Sequence, residues 1–307
     1  MISPRRASAA VALFVGLSAC SEHPFREVSL DLALPPSTKE TPPQPPAVDR
    51  FQISVAGMES PRDTYTDFAR LFDVVGQRLG VHVELVQRRS YAEVNDLLAS
   101  KSIDAALLCT GGYLELLRRA PDAVELIAVP SAGGSDTYQA LLLVPSQRPY
   151  ASLADLRGQR FAFTDALSLS GRAWIVHQLS AMGEDPTTFF GTTAFTAHHD
   201  RSIVALARGV VDGATVHSGI YAHQIAREPE LDGKLRVIGR SPSLGNGPLV
   251  ASTRVPAPLR ARLREVLLGL GLDPASQEAL RTAHIDRFFV PGPEFYDSSR
   301  RIMEAPR

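Results

Sequence analysis

The chain has 307 residues, with 32 Lys and Arg against 33 Asp and Glu, a formal charge of −1, 44% hydrophobic residues and 21% charged ones. At roughly 100–200 residues per domain, that length suggests about two domains. The balanced charge gives no electrostatic case for nucleic acid, where a strongly basic face is expected, the apolar content excludes wholesale disorder, and only two Cys exclude a disulfide-stapled miniprotein and a Cys-rich zinc module.

Arg5 and Arg6 precede an apolar run from Ala7 to Leu17. The run is short of the roughly 20 residues a bilayer span needs, and it reads as an export signal. It ends Leu17-Ser18-Ala19-Cys20, similar to a bacterial lipobox in which Cys20 is lipidated and becomes the mature N-terminus. The competing reading is an ordinary signal peptide with a coincidental Cys. On the lipobox reading residues 1–19 are the signal peptide. Residues 20–50 are then the lipidated Cys and a tether with six prolines between positions 35 and 46, extended because proline fixes φ and removes a donor. The folded part is then held in water at the periplasmic side of a bacterial membrane, by its lipid alone. Cys109 is the remaining Cys and reads as a buried small hydrophobe at the end of a strand-like run.

The folded part is expected to open with a strand at Phe51–Ala56, a helix over Thr64–Leu79 stopped by Gly80, a strand at Val81–Val86, a helix at Tyr91–Ser100 and a strand at Ile103–Leu108. Such alternation argues for parallel strands with helices on both faces. Tyr138–Val144 reads as a further strand, followed by a second set: a strand at Arg160–Phe163, a helix from Ser170 to Ser180, a strand region at Phe189–Phe195, a helix at Asp200–Arg208 and strands at Val211–Val216 and Leu235–Ile238. Leu249 to Ser252 returns as a strand, and helices at Pro258–Leu270 and Ser276–Ala283 close the pattern. The expected fold is α/β and two-lobed, with a first lobe of residues 51–144 plus 240–307 and a second of 145–239. A cleft between lobes suits a small ligand.

There is no P-loop, no G-x-G-x-x-G and no H-E-x-x-H. His198-His199-Asp200 does not form a metal site, because adjacent residues seldom converge on one ion. No metal and no cofactor is expected. Thr164 to Gly171 joins a strand to a helix, so it either presents N–H groups and the Ser168 and Ser170 hydroxyls to an anion or simply caps the helix. His199 precedes a helix with Asp200 as its expected cap, and is either an oxyanion donor or a surface histidine.

Several blocks together carry a resemblance: Arg89-Ser90-Tyr91-Ala92, Lys101 to Ala106, Gly134 to Tyr138, Leu153 to Phe163, Asp165-Ala166-Leu167-Ser168-Leu169-Ser170-Gly171, His199 to Ile203 and Gly209 to Ala214. In order and spacing the chain resembles the phosphate, phosphite and phosphonate-binding periplasmic proteins of ABC transporters. The resemblance implies a type II periplasmic-binding-protein fold, each lobe a mixed, mostly parallel sheet flanked by helices, that closes on its ligand. It also implies a permease partner, a monomeric binding protein and no catalysis. Carried over residue by residue, it places ligand contacts at Tyr91, Tyr138, Ser168, Leu169, Ser170 and His199, with Thr110, Gly171 and His217 as further positions. Leu169 stands where the family often has Thr. Gly219 and Gly247 stand where relatives that bind aminoalkylphosphonates carry carboxylates, so phosphate, phosphite or a small alkylphosphonate is the expected ligand. The alternatives are a ligand-binding sensor for a signalling partner and an enzyme of the same bilobal architecture.

Overall fold

The computed structural model describes residues 50–304. The expected signal peptide, Cys20 and the tether up to residue 49 lie outside the described residues. In chain order, β1 (Arg50–Val55), α1 (Pro61–Leu79), β2 (His82–Val86), α2 (Tyr91–Ala99), β3 (Ala105–Leu107), α3 (Thr110–Arg119) and β4 (Val124–Ser131) come first. The short β5 (Thr137–Tyr138) leads to β6 (Ala140–Pro145) and β7 (Arg160–Phe163). A π-helical turn at Leu169–Ala173 then opens α4 (Trp174–Ala181), followed by α5 (Pro186–Phe189), β8 (Thr192–Phe195), α6 (His199–Ala207), β9 (Gly213–His217), α7 (Ser218–Arg227) and β10 (Leu235–Arg240). The chain returns through β11 (Leu244–Gly245) to β12 (Leu249–Ser252), α8 (Ala257–Leu270), α9 (Gln277–Thr282), β13 (Arg287–Phe289) and α10 (Asp297–Met303).

These elements build two sheets, a six-stranded one in the order β13-β4-β12-β3-β1-β2 and a five-stranded one in the order β10-β6-β9-β7-β8. β1 pairs parallel with β2 and β3, and β7 pairs parallel with β8 and β9, while β12, β13, β6 and β10 make antiparallel contacts. The two crossing segments meet as an antiparallel ribbon, Tyr138 opposite Leu244 and Thr137 opposite Gly245. The chain therefore crosses twice between two sheets, and the two lobes are interleaved in sequence.

The division falls a few residues from the expected place. β6 pairs with β9 and β10, so residues 140–145 belong to the second sheet rather than with residues 51–139. Alternation alone cannot show this, because a buried strand reads the same in either sheet.

Local chemistry accounts for most boundaries. Ser60 caps α1 by accepting the Asp63 N–H, Pro61 takes the first helical position, and Gly80 ends the helix at φ 72°, so α1 starts three residues before the expected Thr64. Phe68, Leu71, Phe72 and Val75 then join β1, β3 and α8 in one core. A second cluster around Val94, Leu98, Tyr113 and Leu116 covers the other face of that sheet, and the five-stranded sheet is likewise covered on both faces. Each fully buried apolar side chain contributes about 1.5–3 kcal/mol.

Several elements are not announced by the sequence. α3 starts at Thr110-Gly111-Gly112 behind Cys109, whose side chain makes no capping bond, and α7 is capped by His217 rather than by a usual capping residue. β4 and α10 lack a clear period. The expected strand from Phe189 is shorter, because Asp185 caps and Pro186 opens the single turn of α5, leaving β8 from Thr192.

Candidate functional site

The starts of α2, α3, α6 and α7, the π-helical turn before α4 and the ribbon between the sheets are linked to one another by direct contacts. On the side of the five-stranded sheet, β7 ends at Phe163 and Thr164 follows it. Thr164 Oγ1 lies 3.1 Å from His199 Nδ1, and the His217 backbone N–H donates to the same nitrogen over 3.2 Å. An amide can only donate, so Nδ1 is an acceptor and the ring proton sits on Nε2. Burial first, then the neighbouring His217 and His198, hold His199 well below the usual imidazole range. His199 is thus a neutral ring with one N–H to donate.

His217 repeats the pattern. Its Nδ1 accepts the Gly219 N–H at 3.0 Å, which caps α7. Its ring stacks on Tyr138, centroids 3.9 Å apart and planes within 10°. Burial pushes its pKa down to about 3, so it too is neutral with its proton on Nε2. His198 has a different job: its Nδ1 donates to the Gly57 carbonyl at 2.8 Å, beside the His199 N–H to Met58 O bond at 2.9 Å. These two bonds tie the start of α6 to the segment after β1. His198 is also the cap residue of α6, and Asp200 lies inside the first turn instead of capping it.

On the side of the six-stranded sheet, Tyr91 begins α2 and is 1% exposed. Its hydroxyl is shut off from solvent without a hydrogen-bond partner. Burial first, then Cys109 and Asp165, raise that phenol well above its ordinary value; Ser168 neighbours it and acts the other way. The Tyr91 backbone N–H donates to Asp165 Oδ2 at 3.3 Å, and Asp165 Oδ1 accepts the Leu167 N–H at 2.8 Å. One carboxylate therefore joins the start of α2 to the loop after β7. Thr110 begins α3 and donates to Gly245 O on the ribbon at 2.7 Å. Tyr138 lies on that ribbon, not in the six-stranded sheet. Burial raises its phenol, with the Thr110 and Ser170 hydroxyls opposing.

The serine loop closes the constellation. Ser168 Oγ accepts the Gly171 N–H at 2.9 Å, and the Ser170 carbonyl accepts Thr215 Oγ1 at 2.6 Å. Leu169 is fully buried, and Cys109 shares a small buried cluster with Tyr91 and Ala56. Burial raises the Cys109 thiol, so it stays protonated and unreactive. The fit is close enough to dictate glycine at Gly111, where a Cβ would come within 2.2 Å of the Leu167 carbonyl oxygen, and at Gly247, where it would come within 1.8 Å of the Leu108 carbonyl oxygen. Gly247 therefore has no room for a carboxylate side chain.

The structure brings Tyr91, Tyr138, Ser168, Leu169, Ser170, Gly171, His199, His217 and Thr110 into one linked cluster. Sequence reasoning passed over three members. In the sequence Cys109 reads as core, and Thr164 and Asp165 only as part of a motif. The cue was their position between the end of a strand and a helix start, where polar side chains either cap or bridge. None of the named side chains is Lys or Arg, so the cluster offers neutral donors: two imidazole N–H groups, two phenols and serine hydroxyls.

Residues 53–294 match the family described as ABC transporter, phosphonate, periplasmic substrate-binding protein. The fold is similar to a binding-protein component of an ABC phosphonate transporter from Pseudomonas aeruginosa, with a TM-score of 0.76 at 21% identity over 83% of this chain and 85% of that one. It is also similar to PhnD1 from Prochlorococcus marinus in complex with methylphosphonate, with a TM-score of 0.73 at 17% identity over 83% of this chain and 97% of that one. A chloride-bound protein from Xanthomonas citri superposes with a TM-score of 0.69 at 18% identity, over 83% of this chain and 99% of that one.

Proposed function

This chain belongs to the periplasmic phosphonate-binding proteins of ABC transporters, and from that premise we propose that its cleft holds a small phosphorus oxyanion without an ammonium group: methylphosphonate, phosphite or phosphate. Its role is capture and delivery to a permease, not catalysis. One observation carries the ligand class. His199 has its Nδ1 occupied by two protein groups and its proton on Nε2, so it presents a neutral N–H beside hydroxyl donors, while the carboxylate of the cluster, Asp165, is already held by the Tyr91 and Leu167 N–H groups. Phosphonate oxygens are satisfied by several such donors, whereas an ammonium buried there would lack a charge partner.

In this reading Tyr91, Thr110 and Tyr138 meet the anion from one side, and Ser168, Ser170, the Leu169 N–H, Gly171, His199 and His217 from the other. The first lobe comprises residues 51–139 and 241–304, and the second 140–240, as the strand pairing supports. Ligand contacts from both lobes coexist only when the lobes are closed, so ligand shifts the balance toward closure. The chain acts as a monomer outside the cytoplasm, anchored through a lipid on Cys20 with the proline-rich segment as spacer. Among the described residues no helix is long and apolar enough to cross a membrane.

A thermal-shift series with phosphate, phosphite, methylphosphonate, 2-aminoethylphosphonate and sulfate tests the ligand class, since a ligand that binds the folded state stabilises it by mass action. The largest rise is expected with one of the first three. A rise with 2-aminoethylphosphonate alone would overturn the reading. For the anchor, a Cys20→Ser chain should lose lipid labelling and appear in the soluble periplasmic fraction.

A further inference from the structure

A second cluster of chemistry-bearing side chains lies outside this cleft. Asp67 on α1, His223 on α7 and His284 after α9 each offer a ligand atom, and these atoms all lie within 4.8 Å of one another. Asp67 and α1 pack on the six-stranded sheet, while α7 packs against α6 and β9 of the five-stranded one. The cluster therefore joins elements of both lobes.

Two observations point to a cation. First, Asp67 is only 8% exposed, and its Oδ2 is shut off from solvent without a hydrogen-bond partner. Its neighbour His284 Nε2 stands 4.0 Å away, beyond hydrogen-bond reach. A buried carboxylate oxygen left in that state costs free energy unless something charged meets it. Second, His223 is already oriented as a metal ligand. Its Nδ1 donates to Glu59 Oε1 at 3.1 Å, which leaves the lone pair of the neutral ring on Nε2. A carboxylate behind a histidine in this way fixes the tautomer and raises ligand basicity.

We propose that Asp67, His223 and His284 form a divalent transition-metal site of the Zn²⁺ type, with ligands from both lobes, so that a bound ion clasps the lobes together. Two imidazoles and one carboxylate suit Zn²⁺, with water as fourth ligand, and the half-exposed His284 gives the ion a way in. A ligand-free arrangement with the lobes apart would separate His223 from Asp67 and His284. The metal then binds the closed form better, and by reciprocity it tightens anion binding.

The test is calorimetric titration of Zn²⁺ into the EDTA-treated full chain, with no anion present. One ion per chain is expected. Asp67→Asn and His284→Ala should each weaken it at least tenfold, and Glu59→Gln, which spares all three ligands, by about 10- to 100-fold. His284 is on the surface, so His284→Ala leaves the fold intact even if Asp67→Asn does not. Absent Zn²⁺ binding, or binding unchanged in both ligand variants, overturns the site. The clasp rests on the closing motion proposed above and has its own readout. Zn²⁺ should tighten methylphosphonate binding to the wild-type chain and leave that of His284→Ala unchanged; an equal affinity with and without Zn²⁺ in the wild type overturns the clasp. Should methylphosphonate fail to bind under either condition, the oxyanion reading fails, while the Zn²⁺ titration still decides the site.

Discussion

The backbone N–H of His217 donates to Nδ1 of His199 over 3.2 Å, and this bond decides what His199 can do. It makes Nδ1 an acceptor and leaves Nε2–H as the donor, whatever ligand arrives. A positive imidazolium would need both nitrogens protonated and would lose that bond. His199→Ala should therefore weaken methylphosphonate by about 1–3 kcal/mol, the usual range for losing a hydrogen bond to a charged group. Calorimetric titration of the variant checks it, and an unchanged affinity would remove His199 from the site.

The same bond sets a dependence of stability on pH. His199 stays neutral when folded but titrates near its ordinary value of about 6.5 when unfolded. Below that pH the unfolded chain takes up a proton that the folded chain refuses. The contribution to stability is thus complete above about pH 6.5 and is lost as pH falls, by up to about 1.4 kcal/mol per pH unit. His217, held at about 3, acts in the same sense. Asp165 and Asp200, raised by burial, act in the opposite sense, so the comparison must be with a variant. Denaturant unfolding of His199→Gln between pH 5 and 7 should show a shallower slope than the wild type; parallel slopes would sink the assignment.

Tyr91 separates stability from binding. Its hydroxyl is buried without a partner. Tyr91→Phe removes that unsatisfied group and keeps the ring, so the ligand-free protein should melt no lower than the wild type and up to about 1–3 kcal/mol more stably. Methylphosphonate affinity should fall at the same time, since the phenol is then lost to the oxyanion. A variant that is less stable and binds as tightly as before would show the hydroxyl to be structural.

Gly111 tests closure. An added Cβ would sit 2.2 Å from the Leu167 carbonyl oxygen, which belongs to the loop after β7 while Gly111 belongs to α3. With the lobes apart that clash disappears, and alanine is the better helix former by about 1 kcal/mol. Gly111→Ala should therefore keep or raise the melting temperature without ligand, yet bind methylphosphonate at least tenfold more weakly. Wild-type affinity would mean that the loop does not need to approach α3 when the ligand is held.

Much of this protein was legible in its residues because the determining interactions are local. Ser60, Pro61 and Gly80 mark the ends of α1 by capping and backbone chemistry alone, and the stripe of Phe68, Leu71, Phe72 and Val75 marks its buried face. The motif from Asp165 to Gly171 places a serine-rich turn at a helix start, and Ser168 does cap it. The less visible elements are those whose signals are tertiary. Gly111 stands in the first turn of α3, where glycine is what the loop around Leu167 leaves room for, a contact no local pattern announces. β6 reads as part of its neighbour's lobe because its partners, β9 and β10, lie more than sixty residues further along the chain.

The sequence by itself determined the two-sheet α/β plan, the family and the residue types of the candidate site, since periodicity, caps and motif spacing are properties of neighbouring residues. Only the tertiary structure decided protonation and partnership. Which nitrogen of His199 carries the proton depends on His217, and whether Asp67 meets a counter-charge depends on His223 and His284. The physical reason is common to both: burial and through-space contacts set the charge on these groups, and those are made between chain segments that sequence order does not bring together.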